Sequence, residues 1–420
     1  MSEIKVNSIK LKHASGNGVI ISAPTSNPTS DKTINLPSDE TGVFVTKDSN
    51  DSLQNISSIN GGSIGTKNLV DNGAMNIKQR SPSSTNVTGS FLIDRFAINF
   101  SGTDEAITYS QSDVASGTTP YSLGFRKTLK LTNGNQTGGA DAADFVGITH
   151  VIESQNIASS GWNYNSTTSY ISVSFWIKSS VSQKYFMRLF NSDGTVKVWV
   201  IDTGVLTANT WTKVTDKIPG HADLQFDSDS GAGLNIQIIP FYGTNFTDNS
   251  TPVGSWGPSS GSAQVPDMTT TWWTTNDSTF EITGFQIEVG PNVTNFDFQN
   301  HAIERTRCQR YFQILDIIGN SYMAQYSNNG NFYGQPIPFI VEMRAQPTTI
   351  TYATIAGNDY WVEVGTAAFS ANTTGFISFN KTFTTFCQMV QQRTAGGATP
   401  ARRETYIWEP RFNLFISAEF

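Results

Sequence analysis

The chain has 420 residues, more than one ordinary hydrophobic core accommodates, which points to two or three domains. Charged residues make up 15%, against about 25% in typical soluble domains, while aromatics reach 12% and Ser, Thr, Asn and Gly abound, the profile of a β-rich chain with an uncharged polar surface. A net charge of −7 without a concentrated row of Lys and Arg excludes wrapping of nucleic acid, and no run approaches the ~18 apolar residues of a membrane span.

In chain order, residues 3–46 alternate in short apolar pieces: Ile4 and Val6, Ile9 and Leu11, Val19 to Ile21, Ile34 and Leu36, then Val43 and Val45. Strands this short bury no core alone, and intertwining with identical copies would solve that problem. Residues 47–66 are polar and Gly/Ser-rich, with Leu53, Ile56, Ile59 and Ile64 about three apart, either a short seam between copies or a linker. The first domain is therefore set at 1–66.

From 68 to 290 strand signals dominate. Over 170–177, Ile171, Val173, Phe175 and Ile177 alternate with Tyr170, Ser172, Ser174 and Trp176; strands follow at 185–190, 196–201, 211–214, 234–241 and 280–289. Many strands without intervening helices predict a β-sandwich of jelly-roll type over 67–296. The spacing then predicts a basic amphipathic helix over 303–314, with Ile303, Cys308, Tyr311 and Phe312 on one side, and nothing else in the chain has a helical pattern. This hinge opens a third domain, 297–420, whose strands at 322–326, 332–333, 339–343, 348–352, 360–364, 375–379 and 412–420 predict a second sandwich. The last stretch, 413–420, alternates well enough to be a paired strand rather than a tail.

Within 285–312, the string FQIEVG, then Asn295, Phe296, Asp297 and Phe298, then Cys308 to Phe312, resembles in order and spacing the junction of bacteriophage tail-fibre and fibre-like proteins. TINLP at 33–37 with GVFVT at 42–46 resembles the end of fibre attachment regions, with Val43 and Phe44 in place of Thr and Leu. Asn68 to Met75, closing with Gln79 and Arg80, resembles the opening of the jelly-roll module of such proteins, and the strand order of the sandwich is similar to carbohydrate-binding modules. These anchors span 33–312; the last hundred residues carry none.

The resemblance implies an all-β homotrimer with an intertwined N-terminal segment, in which Ile34, Leu36, Pro37, Val43 and Val45 attach to phage tail or adaptor proteins. It implies synthesis in the host cytoplasm, residence in the virion, and distal β domains that bind host surface polysaccharide or lipopolysaccharide without a cofactor. The start, MSEIKVNSIK, has no apolar h-region, in keeping with that expectation. Cys308 and Cys387 are then expected as buried free thiols, although spacing alone does not say whether they pair. Alternatives are a head-fibre or capsid decoration protein, a polysaccharide depolymerase, and a free carbohydrate-binding module of a cellular protein.

Catalytic and metal chemistry find little support. Residues 257–261 match G-x-S-x-G around Ser259, with Asp277 and His301 following in hydrolase order, but a nucleophile elbow needs a strand before and a helix after, and this is a Pro/Ser/Gly loop. Asp223, Asp227 and Asp229 are close enough to suggest a carboxylate pair. Asp227 and Asp229 also offer oxygen ligands for a structural calcium ion, but Gly231 and Ile238 occupy the fifth and twelfth EF-hand positions, so no metal is assigned. His13, His150, His221 and His301 are scattered without a zinc-ligand pair.

Sugar binding needs flat aromatic faces with amides or carboxylates nearby to fix hydroxyls. Residues 242–273 supply Tyr242, Phe246, Trp256, Trp272 and Trp273 beside Asn245, Asp248, Asn249 and Asp267. Tyr242, Trp256, Trp272 and Trp273 are the glycan-contact candidates, with core or subunit contact as the competing role; adjacent Trp272 and Trp273 are expected on an edge strand, one inward and one outward. Weaker candidates are Trp162 and Tyr164, and Tyr322, Tyr326, Tyr333, Tyr360 and Trp361.

Overall fold

A computed structural model of the chain describes residues 8–12, 18–22, 58–59, 62–63, 67–80, 82–318, 322–326, 331–354, 360–363, 377–382, 386–392, 405–409 and 411–420. The attachment candidates Ile34, Leu36, Pro37, Val43 and Val45 lie outside them. The chain divides into two compact units, Met1–Ile56 and Ser57–Phe420. In the first, β1 (Ser8–Lys12) and β2 (Gly18–Ser22) pair antiparallel with Ser8 opposite Ser22.

The second unit opens with β3 (Ser58–Ile59) and β4 (Gly62–Ser63). There follow β5 (Ser84–Thr85), β6 (Ser90–Ile93), β7 (Phe96–Ser101), β8 (Thr108–Asp113), β9 (Lys127–Thr132), β10 (Phe145–Glu153) and β11 (Tyr170–Ser179). Next come β12 (Lys184–Asn191), β13 (Lys197–Val205), β14 (Thr212–Pro219), β15 (Ala232–Tyr242), β16 (Trp256–Pro258) and β17 (Thr279–Val289). They build a seven-stranded sheet, β16-β13-β12-β15-β10-β7-β6, and a six-stranded sheet, β14-β11-β17-β9-β8-β5. The chain changes sheet between β10 and β11, β11 and β12, β13 and β14, and β14 and β15, which is the alternation of a jelly roll.

The core lies between the sheets. Ile171, Val173, Phe175 and Ile177 of β11 are all fully buried, as their alternation predicts, and pack with Met187, Leu189, Ile236, Ile238, Phe285 and Ile287 in one apolar cluster. Where Ser174 pairs with Gln286 but Trp176 with Thr283, β17 carries an extra residue. Gly284 takes up that bulge at φ +64°, and a Cβ there would sit 2.6 Å from the Phe125 ring, so the position admits only glycine without displacement.

Beyond the sandwich come β18 (Phe312–Ile318), β19 (Tyr322–Tyr326), β20 (Asn331–Pro338), β21 (Thr349–Thr354), β22 (Tyr360–Glu363), β23 (Ile377–Thr382), β24 (Phe386–Gln392), β25 (Thr405–Glu409) and β26 (Arg411–Ser417). They form a three-stranded sheet, β18-β26-β21, and a six-stranded sheet, β22-β25-β19-β20-β24-β23. The terminal strand β26 is paired on both sides, as its alternation predicts, with Leu414 and Ile416 buried. The strand expected at 339–343 is instead an irregular segment held by the Gln313 side chain, which donates to the Val341 carbonyl and accepts from the Ile340 N–H.

Four helices are present among the described residues: α1 (Thr119–Ser122), α2 (Ser154–Ala158), α3 (Thr271–Thr274) and α4 (His301–Gln309). The first three are single turns, too short to leave a 3.6-residue pattern, so the sequence shows only the fourth. Helix α4 is capped by Asn300, whose side chain accepts from the Ala302 N–H at 2.9 Å. It stops earlier than expected because Phe312 enters β18, and Ile303 is exposed while Cys308, Tyr311 and Phe312 are buried. Cys308 is an unpaired buried thiol, and the Cys387 side chain lies outside the described residues. None of the described helices is long and apolar enough to cross a membrane.

Ions and rings bind this helix to the sandwich. Arg307 Nε meets Asp71 at 2.8 Å, and the Arg310 guanidinium takes both Glu153 oxygens at 2.7 and 2.9 Å while the Tyr311 hydroxyl donates to Glu153 at 2.6 Å. Arg95, fully buried, lies with its guanidinium carbon 3.3 Å from the Tyr311 ring centre, its Nη1 2.8 Å from Glu419 and its Nε 3.5 Å from Asp71.

Burial would raise the Glu153 carboxyl pKa, but the bonds from Arg310 and Tyr311 outweigh it and hold the group below the usual glutamate range. A depressed folded-state pKa contributes stability above the unfolded value that is lost as pH falls through the folded one. Denaturant unfolding followed downward from neutral pH should show this acid loss in the wild type. Glu153→Gln should cost about 3 kcal/mol at neutral pH and flatten that loss, whereas an unchanged acid limb would show that the pair contributes nothing to it.

Candidate glycan-binding face

The two sheets differ in what they do with the polar side chains on their outer faces. On β11 and β17 of the six-stranded sheet these are consumed internally: Ser172 donates to the Gly290 carbonyl at 2.6 Å, Gln286 accepts from the Asp297 N–H at 2.8 Å, Glu288 accepts from Thr294 at 2.7 Å, and Glu281 pairs with Lys178 at 2.9 Å. The connection after β17 covers much of that face, which explains why Gln286 and Glu288 are buried.

The seven-stranded sheet keeps part of its outer face open. Register places Thr149 of β10, Gln237 of β15 and Arg188 of β12 side by side across three strands, ending against Val200 of β13. All three polar residues are half-buried. Arg188 Nε donates to Gln237 Oε1 at 2.6 Å, and the guanidinium lies 4.9 Å from the Phe190 ring centre. Burial lowers the Arg188 pKa, and Tyr242 partly opposes the shift. Tyr242 also donates to Gln237 Oε1 at 3.4 Å, so this one oxygen collects both protein donors. Asn99 of β7 reaches Thr149 Oγ1 at 3.4 Å along the same face.

A wall is supplied by the segment between β15 and α3. Phe246 and Val265 from it pack with Phe186, Val200, Ile239 and Tyr242 on the sheet, and Phe145 stands edge-on to Phe246 at 5.7 Å. The result is a sheet face closed by aromatics on one side, with amide, hydroxyl and guanidinium groups open beside it, a combination suited to an amphipathic sugar ring.

The sequence candidates divide accordingly. Tyr242 lies on this face as one of its packed aromatics, 8% exposed. Trp256 is on the edge strand β16, half-buried, with its indole N–H bonded to the Pro219 carbonyl at 2.7 Å and its ring 5.6 Å from Trp199. Trp272 and Trp273 are wholly inside the core, so neither presents a face to a ligand, and the expected edge strand is helix α3. A strand would send neighbouring side chains to opposite faces, whereas one helical turn lets both enter the sandwich. Their indole N–H groups bond the Thr279 and Gly139 carbonyls at 3.2 and 2.7 Å, and Asn133 Nδ2 holds the Trp272 and Trp273 carbonyls at 3.2 and 2.6 Å.

Trp162 is buried and Tyr164 stands 5.0 Å from Phe226, a packed aromatic group rather than an open one. The side chains of Tyr322, Tyr326, Tyr333, Tyr360 and Trp361 lie outside the described residues. Sequence reasoning missed Arg188, Phe190 and Gln237 because it treated strand residues as core; their place as every second residue opposite the buried set was the available signal.

Elsewhere, Ser259 sits in an exposed loop after β16 with no helix following, so the G-x-S-x-G string has no elbow geometry. The carboxylates of Asp227 and Asp229 accept local bonds from Gln225 and the Gly231 N–H at 3.0 and 2.8 Å. Among the described residues no three His, Cys, Asp or Glu side chains gather as metal ligands would. A recess of about 950 Å³ lies between α2, α4 and residues 342–344, but its cations are engaged: Arg307 by Asp71, Arg310 by Glu153, and Arg344 by the carbonyls of Ala418, Ser230 and Glu419.

Trp272→Ala and Trp273→Ala should each destabilise the fold by about 3–5 kcal/mol in denaturant titration. Any loss of ligand binding in these variants should track the unfolded fraction; loss of binding with stability intact would return the tryptophans to a contact role.

No family model matches the chain, and no curated protein matches it. Among solved structures, the enzymatically active domain of bacteriophage CBA120 tailspike protein 4 aligns at a TM-score of 0.28 and 12% identity, over 50% of this chain and 21% of that one. The N-terminal cellulose-binding domain of Cellulomonas fimi β-1,4-glucanase C aligns at 0.26 and 10% identity, over 51% of this chain and 99% of that one. The family 11 carbohydrate-binding module of Clostridium thermocellum, solved with a β-1,3-1,4-mixed-linked tetrasaccharide, aligns at 0.23 and 11%, over 51% and 99%. Similarity at this level leaves the jelly-roll assignment to rest on the strand order itself.

Proposed function

We propose that this chain is a bacteriophage fibre protein, a homotrimer that docks to phage tail or adaptor proteins through its N-terminal segment and binds host surface polysaccharide or lipopolysaccharide without cleaving it. The observation that carries the glycan-binding part is the contrast between the two outer faces. The middle of one sheet, β11 and β17, consumes its polar groups internally, while the other sheet leaves Arg188, Gln237 and Thr149 half-buried beside Phe190. Polar side chains kept half-buried with donors left over after their protein bonds are those a ligand can satisfy. The fibre part rests on the three sequence anchors between residues 33 and 312. Weak single-site affinity would be raised by presenting three copies on one fibre and several fibres on one particle.

Purified chain should bind host cells or their extracted surface polysaccharide, and Phe190→Ala and Gln237→Ala should each weaken that binding about tenfold, roughly 1.4 kcal/mol, with unchanged circular dichroism. Full binding by both variants would place the site elsewhere. Incubation with the same polysaccharide should release no reducing ends; release would show a depolymerase. Light scattering should return three chain masses, and a monomer would rule out the trimeric stem.

A further inference from the structure

The open face carries a feature that a site for neutral sugars does not require. Arg188 is a half-buried cation placed among Phe190, Tyr242 and the apolar Val200, with one protein bond from its Nε to Gln237. Elsewhere among the described residues, buried or half-buried arginines face carboxylates or spend their donors on carbonyls: Arg80 meets Asp94 and Glu419, Arg95 meets Asp71 and Glu419, Arg307 meets Asp71, Arg310 meets Glu153, and Arg344 gives its N–H groups to the carbonyls of Ala418, Ser230 and Glu419. No carboxylate among the described residues pairs with Arg188, whose guanidinium meets the Phe190 ring and the Gln237 amide oxygen instead. Its four remaining N–H donors form the planar fork that takes a carboxylate or phosphate in two parallel bonds. Beside it, Gln237 uses its oxygen for both protein donors, leaving its amide nitrogen for an acceptor on the same face.

We propose that the open face of the seven-stranded sheet binds an anionic saccharide, with the Arg188 fork on the carboxylate or phosphate, Gln237 on a neighbouring hydroxyl and Phe190 under the ring. This inference rests on the glycan-binding reading above and specifies its ligand. A desolvated cation without a counter-ion costs stability that an apolar residue at the same strand position would not, and an anionic ligand would recover it. The carboxylate of a uronate and the phosphate of a phosphorylated polysaccharide share this chemistry, so the test separates them.

The intact chain is tested by calorimetry against polygalacturonate and alginate with their carboxyl-reduced counterparts, and against a phosphomannan with its dephosphorylated form. At least one anionic member should bind ten or more times tighter than its neutral partner, with a preference that shrinks as salt rises. Preference within the carboxylate pairs identifies a uronate, and within the mannan pair a phosphate. Arg188→Gln should bring the anionic-to-neutral ratio close to one and Arg188→Lys should restore it in part. Arg126→Gln, which removes the same charge from a guanidinium stacked on Tyr121 near α1, should leave the ratio unchanged. Equal binding of both members of every pair, or a preference that survives Arg188→Gln, would overturn the anionic assignment and leave glycan binding standing. Failure of the folded chain to bind any member would overturn both.

Discussion

The buried ionic junction around Arg95 and Glu153 is the constraint on which the arrangement of the second unit depends. Glu153 ends β10, in the middle of the seven-stranded sheet, and receives Arg310 and Tyr311 from beyond α4, 157 and 158 residues further on. Arg95 supports the Tyr311 ring from below and takes Glu419 from the end of the chain. Breaking one member would leave a charge without a partner inside the protein, so the elements have little freedom to dock differently. Apolar packing alone, being non-directional, would not select one docking angle for a nine-residue helix.

This junction accounts for the difference between the outer faces of the sandwich. The connection leading from β17 to α4 must return towards the start of the domain, where the Asp297 carboxylate accepts the Lys67 N–H at 2.7 Å. On that route it lies over the six-stranded sheet and absorbs Gln286 and Glu288. Among the described residues no equivalent connection crosses the middle of the seven-stranded sheet, where the segment carrying Phe246 and Val265 closes one side. The open face is thus a consequence of where the helix is anchored. A face left open in this way can hold polar groups that would be costly in a core, and Arg188 and Gln237 occupy it.

Much was legible in the chain. Alternation at 171–177 predicted an interior strand of the six-stranded sheet and its buried residues, and the strands expected at 185–190, 234–241 and 280–289 are found close to those bounds, whereas the one expected at 211–214 runs on to Pro219 and β16 was not expected. Earlier strands such as β7 and β10 were not singled out: β10 carries Gly147, Thr149 and His150 among its apolar residues, which blurs the two-residue period. The segment 339–343 reads as a strand by composition, but Phe339 and Met343 are buried by an irregular path pinned to Gln313. Trp272 and Trp273 were expected on an edge strand with one ring outward, yet a single helical turn with Thr274 and Thr275 bonded back to carbonyls four residues earlier carries both inward.

The sequence by itself determined the all-β class, the position of the longest helix among the described residues to within a few residues, and which face of the strand at 171–177 meets the core, because these follow from local periodicity and the cost of leaving apolar side chains in water. Only the tertiary structure decided which outer face stays open and which polar groups remain unpaired on it. That choice depends on pairings the periodicity does not carry, Glu153 with Arg310 and Gln286 with Asp297 against Arg188 with no carboxylate among the described residues, and such pairings leave no local pattern to read.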